Sequence, residues 1–256
     1  MRIIDGHVHL GDNRATKAYA LAELRRDLEE VGAQGAVVFA FPEDMYRVVD
    51  DDKARRRANE YCLRMARENP DIYPFFFIWD GYELPEDLGA YAGIKWHRHA
   101  NEPRYDYSTP ACEAALEAIR ELNMPVTLEE EFENTVAFVE RSPELPVIIP
   151  HTGRLNGGTE RMAVFFDRPS VYFDTSVAPL EAVRFVLDGV GIERVIFGTD
   201  VSGTSQPFFN LPRVELEKLR RLGLSDGEWR LLVAGNVERL IAGTKTTWAG
   251  MAAGHV

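Results

Sequence analysis

His7 and His9 stand two residues apart, directly after the short apolar run Ile3-Ile4 near the start of the chain. In a β-strand, residues i and i+2 project from the same face. The two imidazoles would therefore sit side by side, about 7 Å apart at Cα at a rise of ~3.3–3.4 Å per residue. A pair of neutral imidazoles at one strand end is a two-pronged ligand for a zinc-like cation. The competing reading is two hydrogen-bonded core histidines. Later segments weigh against it, because they end in further groups able to bind metal or move protons: Lys95 and His97, Glu129, His151, Asp174 and Asp200.

Short β-branched or aromatic runs place these groups. Strands are expected over Arg2–Val8, Gly35–Ala40, Tyr73–Trp79, Gly93–Trp96, Pro125–Glu129, Val147–Pro150, Val171–Thr175 and Val195–Thr199. Stretches with helical periodicity lie between them: Ala20–Val31, Lys53–Asn69, Pro110–Leu122, Phe132–Ser142, Gly158–Arg168, Pro179–Val190, Leu211–Leu222 and Asp226–Ile241. Asp80–Ala92 is too short for a good helix. Thr109 before Pro110, and Ser225 three residues before Glu228, are helix-start signals. Gly32 and Gly223 fall where helices should stop. Eight strand-helix units in 256 residues imply a parallel (β/α)8 barrel, a TIM barrel, over residues 1–243, with 244–256 as a loose tail. In such a barrel the chemistry sits at the carboxyl ends of the strands. Every histidine but His255 falls at or just past such an end, His99 included.

The composition, 45% hydrophobic and 27% charged, is that of a globular protein, and the net charge of −12 argues against binding nucleic acid. The longest aromatic-apolar run, Pro74–Trp79, is far too short to cross a bilayer, and the N-terminus does not read as a signal peptide. Cys62 and Cys112 match no zinc spacing and read as reduced thiols of a cytoplasmic protein. The expected partner is a small-molecule substrate, with no nucleic acid and no membrane. Self-association as a homo-oligomer stays open.

Six segments occur in a telling order: Asp5-Gly6-His7-Val8-His9, Gly93-Ile94-Lys95-Trp96-His97, Pro125-Val126-Thr127-Leu128-Glu129, Ile148-Ile149-Pro150-His151-Thr152-Gly153, Phe197-Gly198-Thr199-Asp200 and Asn236-Val237-Glu238-Arg239-Leu240. From Ile3 to about Leu240 the chain resembles the amidohydrolase superfamily, in its amidohydrolase-related (amidohydrolase 2) branch of metal-dependent hydrolases, lactonases and non-oxidative decarboxylases.

The resemblance implies one divalent metal, often zinc, with ligands at His7, His9 and Asp200. It implies His151 as an acid/base or a further ligand, and Asp200 as a proton acceptor beside the metal. Many members carry a histidine at the end of strand five, where this chain has Glu129. A carboxylate there can replace it as a ligand and would favour Mn²⁺ or Mg²⁺ somewhat more. The bland alternative makes Glu129, Glu130 and Glu131 a solvated face, which is the reading adopted for the last two. Lys95 corresponds to a bridging carboxylated lysine of two-metal members, a role that Glu129 weakens. Lys95, His97 and Arg154 are candidates for contacts with substrate. For Asp200 the bland alternative is a helix cap, and for His151 a loop-stabilising histidine. The implied activity is hydrolysis of an ester, lactone or amide through a metal-activated water. Alternatives are a decarboxylase of a small carboxylated ring or diene acid, and an inactive barrel without metal.

Overall fold

A computed structural model describes residues 1–11, 19–40, 52–98, 104–202 and 209–253. Its eight parallel strands are β1 (Ile4–His9), β2 (Gly35–Phe39), β3 (Ile72–Ile78), β4 (Gly93–His97), β5 (Val126–Glu129), β6 (Val147–Ile149), β7 (Val171–Asp174) and β8 (Val195–Ile196), hydrogen-bonded in chain order. Helices α1 (Leu21–Glu29), α2 (Asp52–Arg67), α3 (Pro110–Glu121), α4 (Phe132–Arg141), α5 (Leu180–Val190) and α6 (Leu211–Arg220) alternate with them. The short α7 (Asp226–Arg230), α8 (Asn236–Ala242) and α9 (Ala249–Ala253) follow. The strands are buried along almost their whole length because helices cover the outside and side chains fill the inside. This is the expected (β/α)8 barrel. No helix among the described residues is long and apolar enough to cross a membrane.

The barrel closes between its first and last strands. Gly6 N donates to Phe197 O (2.8 Å), Asp200 N to His7 O (2.8 Å) and His9 N to Val201 O (3.0 Å). Two glycines permit this approach. A Cβ on Gly6 would lie 2.7 Å from Ile196 and 2.8 Å from Phe197 O, and one on Gly198 would lie 2.9 Å from the His7 Cβ. Buried Asp5 ties the same seam, accepting from Thr199 N (3.0 Å), Thr199 Oγ1 (2.5 Å) and His7 N (3.1 Å).

Several local expectations are corrected. The Gly158–Arg168 segment is a 3-10 helix over Thr159–Phe165 rather than an α-helix. The helix expected over Asp226–Ile241 is broken by a π-turn at Leu231–Gly235, where Leu232 O turns to accept from Phe197 N (2.9 Å) of the closing strand. Asp80–Ala92, in keeping with its short length, holds no α-helix and is helical only at Leu88–Ala90, as a 3-10 turn. The C-terminal segment is docked up to Ala253 rather than loose. Lys245 N donates to Leu122 O (2.8 Å), and the buried Trp248 indole donates to Ala90 O (2.6 Å). Burying an indole whose N–H finds a carbonyl anchors a segment that composition alone marks as free.

Gly198→Ala is expected to lower the unfolding free energy by about 1–3 kcal/mol, the usual range for overfilling a close-packed contact. Chemical denaturation checks this; an unchanged midpoint would mean that the seam yields at no cost.

Candidate metal centre

On β1, His7 and His9 project from the same face into the barrel mouth. The His7 Nδ1–H donates to Asp174 Oδ2 at 2.7 Å, and the His9 Nδ1–H donates to the Ala40 carbonyl at 2.9 Å. Each bond selects the tautomer in which Nε2 carries a lone pair rather than a proton, and on His7 that lone pair lies within hydrogen-bond reach of Lys95 Nζ. Burial, and then the charge of Lys95, push His7 down to about 4, so it is neutral near pH 7, the state that binds metal. Asp200 Oδ1 lies 3.5 Å from His7 Nε2 and 3.4 Å from His9 Nε2. Burial resists ionisation of Asp200, but the two histidines outweigh it and hold the carboxyl well below the usual range.

These three groups offer ligand atoms within 4.8 Å of one another, and among the described residues no other set of three does so. Ligand atoms at 2.0–2.1 Å from a tetrahedral zinc stand about 3.4 Å apart. The donor types, tautomers and spacings therefore fit a divalent ion. Asp200 reaches its place through a left-handed backbone (φ 62°), a conformation aspartate tolerates better than most residues.

A second cluster adjoins the triad, with Glu129 at its middle. Glu129 Oε2 lies 3.3 Å from Lys95 Nζ and 3.3 Å from His151 Nε2, and Oε1 lies 3.4 Å from His97 Nε2. Lys95, fully buried, also lies 3.4 Å from His7 Nε2 and 4.8 Å from the centre of the Phe39 ring. His151 sits on a sharp turn in which His151 (φ 55°), Thr152 (φ 53°) and Gly153 (φ 80°) are all left-handed. Its backbone N–H donates to Asp174 Oδ1 at 3.0 Å. The Ser176 hydroxyl spends its proton on Asp174 Oδ1, so His151 Nδ1–H donates to Ser176 Oγ (2.9 Å) and Ser176 O (3.0 Å). Burial opposes a charge on His151, but the hydrogen bond and charge of Glu129 outweigh it, and the imidazole is pushed up to about 9. Near neutral pH, His7 is a lone-pair donor and His151 a proton donor.

The structure thus gathers His7, His9, Asp200, Lys95, His97, Glu129 and His151 at one mouth. Arg154 is exposed just beyond the His151 turn and makes no ion pair among the described residues. His99 and His255 lie outside the described residues. Glu130 departs from its expected place on a solvated face. It is buried, 3.3 Å from Arg98 Nη1, and accepts from Tyr107 Oη at 3.0 Å. The sequence placed Asp174 among the strand-end groups without a specific role and gave Ser176 none. Their position at the end of a predicted strand marked them as near the mouth, but nothing in the pattern told which histidines they would hold.

A family model described as Amidohydrolase, of the amidohydrolase-2 type, matches residues 4–242. The chain belongs to the amidohydrolase-2 family. No curated protein matches it by sequence. Among solved structures it is similar to a probable 2-pyrone-4,6-dicarboxylic acid hydrolase from Acinetobacter baumannii (15% identity, TM-score 0.72, 94% of this chain and 99% of that one). It is also similar to an amidohydrolase from Burkholderia multivorans with bound zinc (16%, 0.71, 94% and 99%). A third is a 2,6-dihydroxybenzoate decarboxylase from Rhizobium (13%, 0.69, 94% and 99%). At these identities the likeness carries the barrel fold.

The raised His151 sets a pH dependence for the metal-free family member. Its folded value, about 9, exceeds the ordinary 6.5, so the stability from this charge is complete below about 6.5 and is lost as pH rises through about 9. In chelator-treated protein, Glu129→Gln should therefore cost most stability near pH 6, with the gap to wild type closing toward pH 9.5. Urea unfolding at several pH values measures it, and a gap independent of pH would rule out His151 as a cation paired with Glu129.

Proposed function

We propose that this protein is a metal-dependent hydrolase of a small organic ester, lactone or amide, holding one divalent ion on His7, His9 and Asp200. The observation that carries this reading is the convergence of two tautomer-fixed imidazoles on one ionised carboxylate, with Nε2 atoms 3.5 and 3.4 Å from Asp200 Oδ1 and all three ligand atoms within 4.8 Å of one another. Two nitrogens and one oxygen suit zinc, and the relative with bound zinc supports that choice. Glu129, a candidate ligand by resemblance, is assigned instead to the counter-charge of Lys95 and His151, since both lie against its Oε2. Manganese or magnesium binding would require it to turn toward the ion. The two buried free cysteines support a cytoplasmic setting.

A divalent ion bound there supplies a Lewis acid that polarises a carbonyl and eases deprotonation of water. Asp200, ionised and about a third exposed, is placed to accept the proton of an attacking water. His151, charged through Glu129, donates a hydrogen bond or a proton to the oxygen or nitrogen that gains negative charge. Lys95 adds a fixed positive charge beside it, and His97 borders the same space. Asp174 takes no part in the chemistry; it orients the His7 ring through Nδ1 and the His151 turn through the His151 backbone N–H.

A second reading has one specific support. A proton-donating His151 beside a Lewis acid also suits non-oxidative decarboxylation of a small carboxylated ring, where a carbanion must be protonated, and a dihydroxybenzoate decarboxylase shares the barrel. A panel of lactones, esters, amides and aromatic acids, assayed for proton release against CO₂ release, separates the two, and CO₂ without hydrolysis would overturn the first. Protein purified without chelator should hold about one equivalent of zinc. His7→Ala should lose it, with turnover falling by more than about 100-fold while unfolding stays cooperative. Less than half an equivalent in wild type, with no gain in thermal stability on adding zinc, would instead favour an inactive barrel.

A further inference from the structure

We infer that Lys218 and Glu215 of α6 are positioning residues for this site, because they clamp the strained turn that holds His7 and His151. The inference rests on the metal-centre reading above and adds a part of the chain that touches none of the groups named in it.

The turn runs from Thr175 to Ala178, directly after β7. Its inner side is committed to the site. Ser176 N donates to Asp174 Oδ1 at 3.0 Å, and Ser176 Oγ donates to the same oxygen. Ser176 O and Oγ receive the His151 Nδ1–H. The other Asp174 oxygen receives the His7 Nδ1–H. One short segment thus sets the ring orientation of both histidines.

The next residue, Val177, has φ 44°. That region is costly for a β-branched residue, and Val177 is 38% exposed, so burial of its side chain offsets little of the cost. The outer side of the turn supplies the compensation. The Glu215 carboxylate faces the Val177 backbone N–H. Lys218 Nζ donates to Ala178 O at 2.7 Å, to Thr175 O at 3.4 Å and to Glu215 Oε2. Glu215 is 4% exposed and Lys218 is largely covered. An ordinary i,i+3 pair on a helix surface points to water and contributes little. This one points inward, with Glu215 holding the ammonium and Lys218 spending its donors on two carbonyls of a single turn. Removing the ammonium frees two carbonyls and leaves Val177 strained without support, so the turn relaxes and Ser176 withdraws from His151.

Lys218→Met keeps the stem and removes the donor. Two readouts follow it: zinc affinity by competition with a chromophoric chelator, and the imidazole N–H resonance of His151, assigned with His151→Gln. Lys218→Met should weaken zinc binding by about 10-fold or more, the usual range for loss of the partners that orient metal ligands, and should broaden or abolish the His151 Nδ1–H signal. Adding Val177→Gly, which accepts the left-handed φ freely, should bring both readouts back most of the way. Glu215→Gln, a milder change, should move them in the same direction and serves if Lys218→Met does not fold. Wild-type affinity and an intact His151 signal in the folded Lys218→Met protein would overturn the inference, as would a loss that Val177→Gly does not relieve. If wild type itself takes up no zinc, the metal reading fails, and the His151 resonance alone decides the clamp.

Discussion

Closure of the barrel is the constraint on which everything else depends. His7 and His9 lie at the start of the chain and Asp200 almost two hundred residues later, and only the β8–β1 seam makes them neighbours. The bond from Asp200 N to His7 O is at once part of that seam and part of the metal centre. The seam tolerates nothing larger than hydrogen at Gly6 and Gly198, and it buries Asp5, whose carboxyl is pushed up to about 8 chiefly by loss of solvent. Stability and site geometry are therefore coupled at the same few residues. The two ends of the barrel sequence cannot drift apart without dismantling the ligand triad.

Within that frame, Asp174 fixes the positions of two histidines at once. One of its oxygens faces the His7 ring, and the other collects the His151 backbone and Ser176. A buried carboxylate with so many donors stays ionised: burial raises it, but His7 and the surrounding hydrogen bonds hold it below its ordinary range. It keeps His7 as a tautomer whose free nitrogen faces Asp200. It also anchors the turn bearing His151, whose far nitrogen then meets Glu129. Asp174 favours the charged form of both rings; they differ, at ring centroids 5.1 Å apart, because burial and Lys95 push His7 down while Glu129 pushes His151 up. The pairing of a lone-pair donor with a proton donor is what a site needs if it is to bind a cation and also serve a developing negative charge.

Glu129 shows how one residue changes the character of a conserved-looking frame. Its carboxylate sits where Lys95, His97 and His151 converge, and it supplies a negative charge that offsets the burial of the ammonium. The mouth therefore separates into the His7, His9 and Asp200 group, whose donors could hold a metal, and a group of charged side chains around Glu129.

Much of this was legible in the linear chain. Alternating strand and helix patterns, with Thr109 and Ser225 as caps and no linker, specify the barrel, because period and capping are local properties. The His-x-His spacing and the position of Glu129, His151 and Asp200 at strand ends identified the mouth, because strand direction alone decides which end they share. What lay beyond reach depended on contacts between distant segments. The tail docks because Ala90 offers a carbonyl to Trp248, and Glu130 is buried because Arg98 and Tyr107 cover it. Protonation states were equally hidden. Sequence set the residue types, but which histidine is neutral and which is charged follows from burial and from which carboxylate each ring meets. Only the folded barrel decides that, because the energy of a charge depends on its surroundings and not on its place in the chain.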